Sequence, residues 1–192
     1  MKKLITVLSL TLASQTAIAA QECSTDFAKT APNTRYTYSE SGTVTDLKTG
    51  LTWMRCPVGM TWNVGNQECQ GGRDSTMSWQ LALSTAKQIR NKDGNHPLHN
   101  FADKKNWRLA NIKELVSLTE RACHSPAINS TGFASGYSLK DGDDVLGRYV
   151  WSNTPNGDGK HVATFDTTNG EVFNRDPLNS SFKSSLLLVT DE

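Results

Sequence analysis

Apolar residues recur at intervals of three and four positions in two segments of the chain, and this spacing is typical of amphipathic helices. The first predicted helix follows Ser78, a suitable N-cap residue, and runs through WQLALSTAKQIRN. Its predicted buried stripe consists of Trp79, Ala82, Leu83, Ala86 and Ile89. The second predicted helix, NIKELVSLTERA, begins at Asn111, and Glu114 lies three residues later as the partner of a capping box. Its predicted stripe consists of Ile112, Leu115, Val116 and Thr119.

The segments around these helices have the composition and turn signals of β-strands. Residues 42–55 predict a hairpin, and residues 48–50 form its turn. Four further strands are predicted at 149–153, 161–167, 170–174 and 184–190. Asn169-Gly170 is a hairpin signal, and the uniformly apolar last segment is typical of a central strand. Residues 21–40 are predicted to lie on the surface, and residues 124–148 are predicted to form a long loop. The simplest fold class for this order of elements is one α+β domain.

The first twenty residues have the pattern of a secretory signal peptide. Two lysines precede an apolar core at residues 4–13, and small residues follow, so we expect cleavage after Ala19 or Ala20. The core is shorter than the ~20 residues that cross a bilayer, so no membrane span is expected. The expected organisation is a signal peptide at 1–20, an N-terminal extension at 21–41 and a domain at 42–192. The expected destination is the periplasm or the exterior of a bacterium, and the pattern does not separate the two.

Four cysteines lie in the mature part of the chain, and an even number in an exported protein indicates disulfides. Three pairings are possible. Cys56 and Cys69 flank a turn-rich stretch, and a bond between them would leave Cys23 to pair with Cys123 and tie down the N-terminal extension. The spacings do not match a zinc site, so no metal is expected there. A disulfide-bonded cysteine also has no thiolate to act as a nucleophile.

The charge balance argues against nucleic acid as a partner. The 192-residue chain has 20 basic and 19 acidic residues, and loss of the signal peptide leaves 18 basic residues and a net charge of −1. Proteins that bind nucleic acid depend on clustered lysine and arginine side chains to displace counterions.

The ordered strings GTVTDLKTGLTWMRC, TWNVGNQECQGG, SWQLAL, NWRLANIKELVSLTERACHSPAIN and YVWSNTP resemble the Lcl C-terminal domain family of bacterial collagen-like adhesins. The resemblance implies a C-type-lectin-like fold, in which two helices pack on antiparallel strands beside a long loop region. It also implies a binding module of the bacterial envelope, which in the adhesin attaches to sulfated polysaccharides. This chain has no collagen repeat, and it has Ala110 where the family usually has proline.

The resemblance places the expected ligand contacts in the loops at 124–148, 153–160 and 174–183. The polar residues expected to contact a ligand are Arg148, Asn153, His161 and Arg175. Trp62, inside the cysteine loop, is the tryptophan most expected to be exposed, whereas Trp107-Arg108-Leu109 is expected to be structural. Asp141–Asp144 offers oxygen ligands of the kind that calcium accepts, although a solvated acidic loop is the default interpretation.

No HExxH, GxSxG or glycine-rich phosphate loop is found, so neither catalysis nor a cofactor is expected. Enzymes of the related formylglycine-generating class need a late cysteine pair, and no cysteine follows Cys123. The leading hypothesis is an exported, non-enzymatic binding module that recognises carbohydrate or a surface partner in adhesion. The alternatives are a protein-interaction subunit of a pilus or secretion machine, and a hydrolase whose candidate residues are His124 and His161. The sequence does not indicate the ligand or the oligomeric state.

Overall fold

Antiparallel pairing organises most of the chain. The computed structural model describes residues 21–71, 76–133, 137 and 148–192. The expected signal peptide and the acidic stretch Asp141–Asp144 lie outside these residues. Among the described residues the strands are β1 (Glu22–Cys23), β2 (Tyr36–Tyr38), β3 (Thr43–Asp46), β4 (Thr52–Met54), β5 (Thr61–Asn63), β6 (Glu68–Gln70), β7 (Arg108–Leu109), β8 (Cys123–His124), β9 (Tyr149–Pro155), β10 (Val162–Asp166), β11 (Val172–Arg175) and β12 (Leu188–Thr190). The helices are α1 (Trp79–Arg90) and α2 (Ile112–Ser117).

The strands form a five-stranded sheet in the order β2-β3-β4-β12-β7 and a three-stranded sheet in the order β11-β10-β9. Two smaller ladders pair β1 with β8 and β5 with β6. The predicted central position of the last strand is confirmed, because Val189 of β12 pairs with Trp53 on one side and with Arg108 on the other. The β3–β4 hairpin is also confirmed. The fold class is therefore a mixed α and β structure with mostly antiparallel sheets.

The prediction that residues 21–40 lie over the surface is wrong for part of this segment. Tyr36–Tyr38 forms an edge strand that pairs with β3, and Ala31 and Tyr36 are buried. The Tyr36 ring packs against Phe133 with ring centroids 6.3 Å apart. A strand of three residues is too short for its alternating pattern to be recognised in the sequence. Tyr36–Tyr38 forms a strand because it pairs with β3.

Both predicted helix starts are confirmed. The Ser78 side chain accepts a hydrogen bond from the Leu81 N–H. At α2, the Asn111 side chain accepts from the Glu114 N–H at 2.9 Å, and the Glu114 carboxylate accepts from the Asn111 N–H at 2.7 Å. These reciprocal bonds satisfy donors that a helix N-terminus otherwise leaves unpaired.

The predicted buried stripes are correct in part. Ala82, Ala86 and Ile89 of α1 are buried, whereas Leu83 is 36% exposed. The second helix ends at Ser117, earlier than expected, and Val116 is 40% exposed.

A buried carboxylate lies three residues after the end of α2. Glu120 is 2% exposed, and its carboxylate accepts backbone hydrogen bonds from Thr30 at 2.9 Å, Ala31 at 2.8 Å and Ala122 at 3.1 Å. The chain after α2 therefore turns inward to hold the N-terminal extension instead of continuing as a helix.

Two adjoining clusters of apolar residues form the core. One includes Trp53, Leu115, Phe133, Phe165 and Val189. The other includes Ile89, Trp107, Trp151, Leu186 and Leu188.

Two disulfides connect the four cysteines. We call Cys56–Cys69, which closes a separation of 13 residues, the short disulfide, and Cys23–Cys123, which closes a separation of 100 residues, the long disulfide. The long disulfide joins β1 to β8 at directly opposed positions. Within the described part of the chain, no helix has the length and apolar character needed to cross a membrane.

Candidate ligand-binding face

The three-stranded sheet carries a row of aromatic side chains on one face. Asp166 of β10 pairs with Tyr149, and Thr164 pairs with both Trp151 and Phe173. Alternate residues of a strand project to the same face, and paired residues share it. Tyr149, Trp151 and Phe173 therefore lie on one face of this sheet.

Phe182, from the loop between β11 and β12, packs over these rings. Its ring centroid lies 5.8 Å from that of Tyr149 and 5.4 Å from that of Trp151. The Phe173 ring meets Tyr149 edge-on at 5.8 Å. Such tilted and edge-to-face pairs are favourable arrangements of aromatic rings.

Arg175 lies on top of this aromatic cluster. Its guanidinium carbon is 4.4 Å from the centre of the Phe182 ring and 5.2 Å from the centres of the Tyr149 and Phe173 rings. Its Nε is buried without a hydrogen-bond partner. In the part of the chain that the structure describes, no carboxylate forms an ion pair with this side chain. The aromatic rings therefore hold a cation whose charge is not neutralised by a neighbour.

Arg148 approaches the same tyrosine ring. Its guanidinium carbon is 5.2 Å from the centre of the Tyr149 ring, and its Nε is 3.5 Å from an oxygen of the buried Asp166 carboxylate. We call Arg148, Tyr149, Phe173, Arg175 and Phe182 the arginine–aromatic face. Of its two cations, Arg148 is paired with a carboxylate and Arg175 is not.

The other two expected contact residues have local partners elsewhere. Asn153 is exposed, and its side-chain amide donates to the Leu109 carbonyl at 3.4 Å. His161 lies at the end of the β9–β10 turn, where its Nδ1 is 2.5 Å from an Asp158 carboxylate oxygen. The Lys160 N–H and the His161 imidazole hydrogen-bond this carboxylate and lower the pKa of Asp158 to about 2. The structure thus brings Arg148 and Arg175 together, whereas Asn153 and His161 contact other parts of the fold.

The Trp107-Arg108-Leu109 segment has structural contacts. Trp107 and Leu109 are buried. The two Arg108 Nη atoms each donate to a different Glu114 oxygen at 2.9 Å, and Nη2 also donates to Asp191 at 2.8 Å. These carboxylates raise the pKa of Arg108.

Trp62, the tryptophan most expected to be exposed, is more exposed than Trp53, Trp107 and Trp151, but it is not fully open to solvent. It is half-buried, and the Arg55 guanidinium carbon lies 3.6 Å from the centre of its ring. Arg55 itself is 4% exposed and donates to the backbone carbonyls of Thr131 at 2.6 Å and Gly132 at 3.1 Å. Sequence reasoning missed this arginine, because nothing in its local pattern predicts burial beneath a tryptophan.

His96 and His99, which lie close together in the sequence, also have local contacts. His99 Nδ1 is 2.8 Å from the Ile89 carbonyl oxygen, and His96 Nδ1 accepts from the Leu98 N–H at 3.1 Å. Burial lowers the pKa of His96. Among the described residues, no group of three or more histidine, cysteine, aspartate and glutamate side chains is arranged to hold a metal ion.

His124 lies between a carboxylate and a hydroxyl. Its Nε2 is 3.4 Å from a Glu22 oxygen, and its Nδ1 is 3.2 Å from Ser125 Oγ. Carboxylate, imidazole and hydroxyl follow one another here as they do in the proton relay of a hydrolase. However, the His124 side chain is 58% exposed and the Glu22 side chain is 74% exposed. Water therefore competes for every contact in this relay.

Comparison with known proteins gives one match. The family model of the Lcl C-terminal domain matches residues 42–189. No curated protein and no solved structure matches the chain.

Proposed function

The chain belongs to the Lcl C-terminal domain family, and on this premise we propose that it is an exported, non-enzymatic binding module of the bacterial envelope. Its ligand is carbohydrate, bound in adhesion, and its fold is a variant of the C-type-lectin-like fold. The signal peptide at 1–20 delivers it to the periplasm or the exterior. Two disulfides support this location, because such bonds persist in oxidising compartments.

The observation that carries the proposal is the state of Arg175 on the arginine–aromatic face. A guanidinium without a carboxylate partner presents planar donors that match the oxygens of a carboxylate or a sulfate group. The Phe182 and Tyr149 rings hold this guanidinium in place, so little conformational entropy is lost when an anion binds. Acidic sugar chains carry such anionic groups, and the neighbouring loops at 153–160 and 174–183 add polar atoms for sugar hydroxyls.

A glycan array tests the proposal directly. The mature protein is applied to neutral, carboxylated and sulfated oligosaccharides at low and at physiological salt. We expect binding to the acidic chains, with weaker binding at the higher salt because exposed charge pairs are screened. A folded protein that binds no glycan of any class would contradict the carbohydrate proposal.

A protein partner in an envelope assembly is the second candidate, and an exposed leucine favours it. Leu178 is 81% exposed and lies three residues after Arg175. Arginine is enriched in protein interfaces, and an exposed leucine offers apolar surface that a partner can bury. Capture of one stoichiometric protein from the periplasm by the wild type, and its loss with Leu178→Ser, would favour this candidate over carbohydrate.

The Glu22–His124–Ser125 contacts make hydrolysis the third candidate. A broad screen of ester and glycoside substrates with His124→Ala and His161→Ala addresses it. The binding-module proposal predicts no turnover that depends on either histidine.

A further inference from the structure

An apolar crevice lies beside the short disulfide, and none of its lining residues belongs to the arginine–aromatic face. Its apolar lining consists of Met54, Val58, Met60, Trp62, Leu98 and Phe101, and we call it the Trp62 crevice. The space is about 130 Å³. Trp62, Leu98 and Phe101 are half-buried, so the crevice is open to solvent on one side.

The backbone around the crevice is held in an unusual conformation. Asn100, Ala102 and Asp103 have φ angles of 61°, 53° and 60°, a region that side chains with a Cβ rarely adopt. These residues flank Phe101, whose carbonyl oxygen accepts a hydrogen bond from the Trp107 indole at 3.1 Å. Strained backbone of this kind persists where the surrounding structure requires it, and it is concentrated at functional sites.

A glycine makes room for the opposite wall. Gly42 has a φ of +86°, and a Cβ at this position would lie 2.8 Å from the Trp62 Cβ and 3.3 Å from the Phe101 ring. No other residue fits between these two aromatic side chains without moving them. The indole Nε1 of Trp62 is buried without a hydrogen-bond partner. Because this polar atom is not accessible, the accessible part of the ring is carbon.

The size and charge of the crevice indicate what it accepts. Apolar cavities of about 150 Å³ in proteins bind a benzene-sized ring. The exposed Glu40 lines the crevice and forms no ion pair within the part of the chain that the structure describes. None of the lining residues is lysine or arginine. The Arg55 guanidinium packs against the Trp62 ring, but it donates to the Thr131 and Gly132 carbonyls and is not part of the lining. We infer that the Trp62 crevice is a second binding site, which takes a single aromatic ring that carries a positively charged amine.

Methionine methyl groups provide a local readout of binding. Met54 and Met60 line the crevice, whereas Met77 is not among its lining residues and its backbone carbonyl accepts a hydrogen bond from the Trp151 indole. The full mature protein, labelled with ¹³C at the methionine methyl groups, is titrated with benzylamine, benzyl alcohol or benzoate. We expect benzylamine to shift the Met54 and Met60 signals more than the Met77 signal. Its Kd is expected to be about two- to fivefold lower than that of benzyl alcohol, the range for an exposed charge pair, and benzoate should bind least.

Two variants test the roles of charge and shape. Glu40→Gln should remove the preference for benzylamine over benzyl alcohol and leave the shifts with benzyl alcohol unchanged. Leu98→Trp should fill the crevice and abolish the shifts, whereas Leu81→Trp, at a leucine on α1 that is 52% exposed, should leave them unchanged. Absence of Met54 and Met60 shifts with saturating benzylamine, or equal shifts at Met77, would overturn the inference. Either result would leave the carbohydrate proposal unaffected, because that proposal concerns the residues of the arginine–aromatic face.

Discussion

A buried ion pair at the β3–β4 turn allows a quantitative test of how this fold is stabilised. Asp46 is fully buried, and its carboxylate accepts from both Arg35 Nε, at 2.8 Å, and Arg35 Nη2. It also accepts from the Lys48 N–H at 3.0 Å and the Thr49 hydroxyl at 2.9 Å. The Arg35 side chain is 7% exposed, so neither charge is well solvated.

The informative substitution is Asp46→Asn. The asparagine oxygen still accepts a turn hydrogen bond, but the buried Arg35 guanidinium loses its ion-pair partner. Removing one partner of a buried pair costs about 3–5 kcal/mol. Because domains are stable by roughly 5–15 kcal/mol, this loss is easily measured by urea denaturation at pH 7. Asp93→Asn, at an exposed aspartate, is the matched control and should change the free energy of unfolding by less than about 0.5 kcal/mol.

The pH dependence gives the prediction a second readout. Burial alone raises the pKa of Asp46, but the hydrogen bonds from Arg35, Lys48 and Thr49 outweigh it and hold the pKa below its usual value. A carboxylate of this kind stabilises the fold above the usual pKa of about 3.9, and this stabilisation is lost as the pH falls through the lower folded value. The difference in stability between the wild type and Asp46→Asn should therefore narrow from pH 7 towards pH 3. A cost below about 1 kcal/mol at pH 7, or a difference that does not change with pH, would refute this reasoning.

Two further predictions concern crosslinks and close packing. Replacing both cysteines of the short disulfide by serine should lower the free energy of unfolding by ~3 kcal/mol. The same change at the long disulfide should lower it by ~4.7 kcal/mol, because closing the longer loop removes more entropy from the unfolded chain. A larger loss for the short disulfide in denaturant titrations would contradict this prediction. Gly42→Ala should cost at least about 1 kcal/mol more than Gly50→Ala, because both glycines have positive φ but a Cβ meets other atoms within 4 Å only at Gly42. Equal thermal or urea midpoints for the two variants would show that the close contact at Gly42 relaxes freely.

Local signals in the sequence were sufficient for several elements. The caps at Ser78 and Asn111 depend on hydrogen bonds between residues three positions apart, and the structure forms both. Gly170 adopts the positive φ that the predicted turn between β10 and β11 requires. In each case the interacting groups are close in the sequence, so the pattern contains the necessary information.

Features that depend on distant residues were not predictable in this way. The burial of Glu120 after α2 depends on its donors Thr30 and Ala31, which lie far away in the sequence. The sequence predicts Arg148 and Arg175 as polar loop residues, but their meeting at Tyr149 follows from the register of β9, β10 and β11. The Trp62 crevice likewise depends on the approach of Phe101 to the short-disulfide loop.

The most direct test of the central claim is the affinity of Arg175 variants for the acidic oligosaccharide that binds best on the array. Loss of a charge-assisted hydrogen bond costs about 1.5 kcal/mol or more, so Arg175→Gln should raise the Kd at least about tenfold. Arg121→Gln removes an exposed arginine elsewhere and should leave the Kd unchanged, while both variants keep the wild-type unfolding midpoint. Equal affinity of the wild type and Arg175→Gln would contradict the assignment of the arginine–aromatic face as the carbohydrate-binding surface.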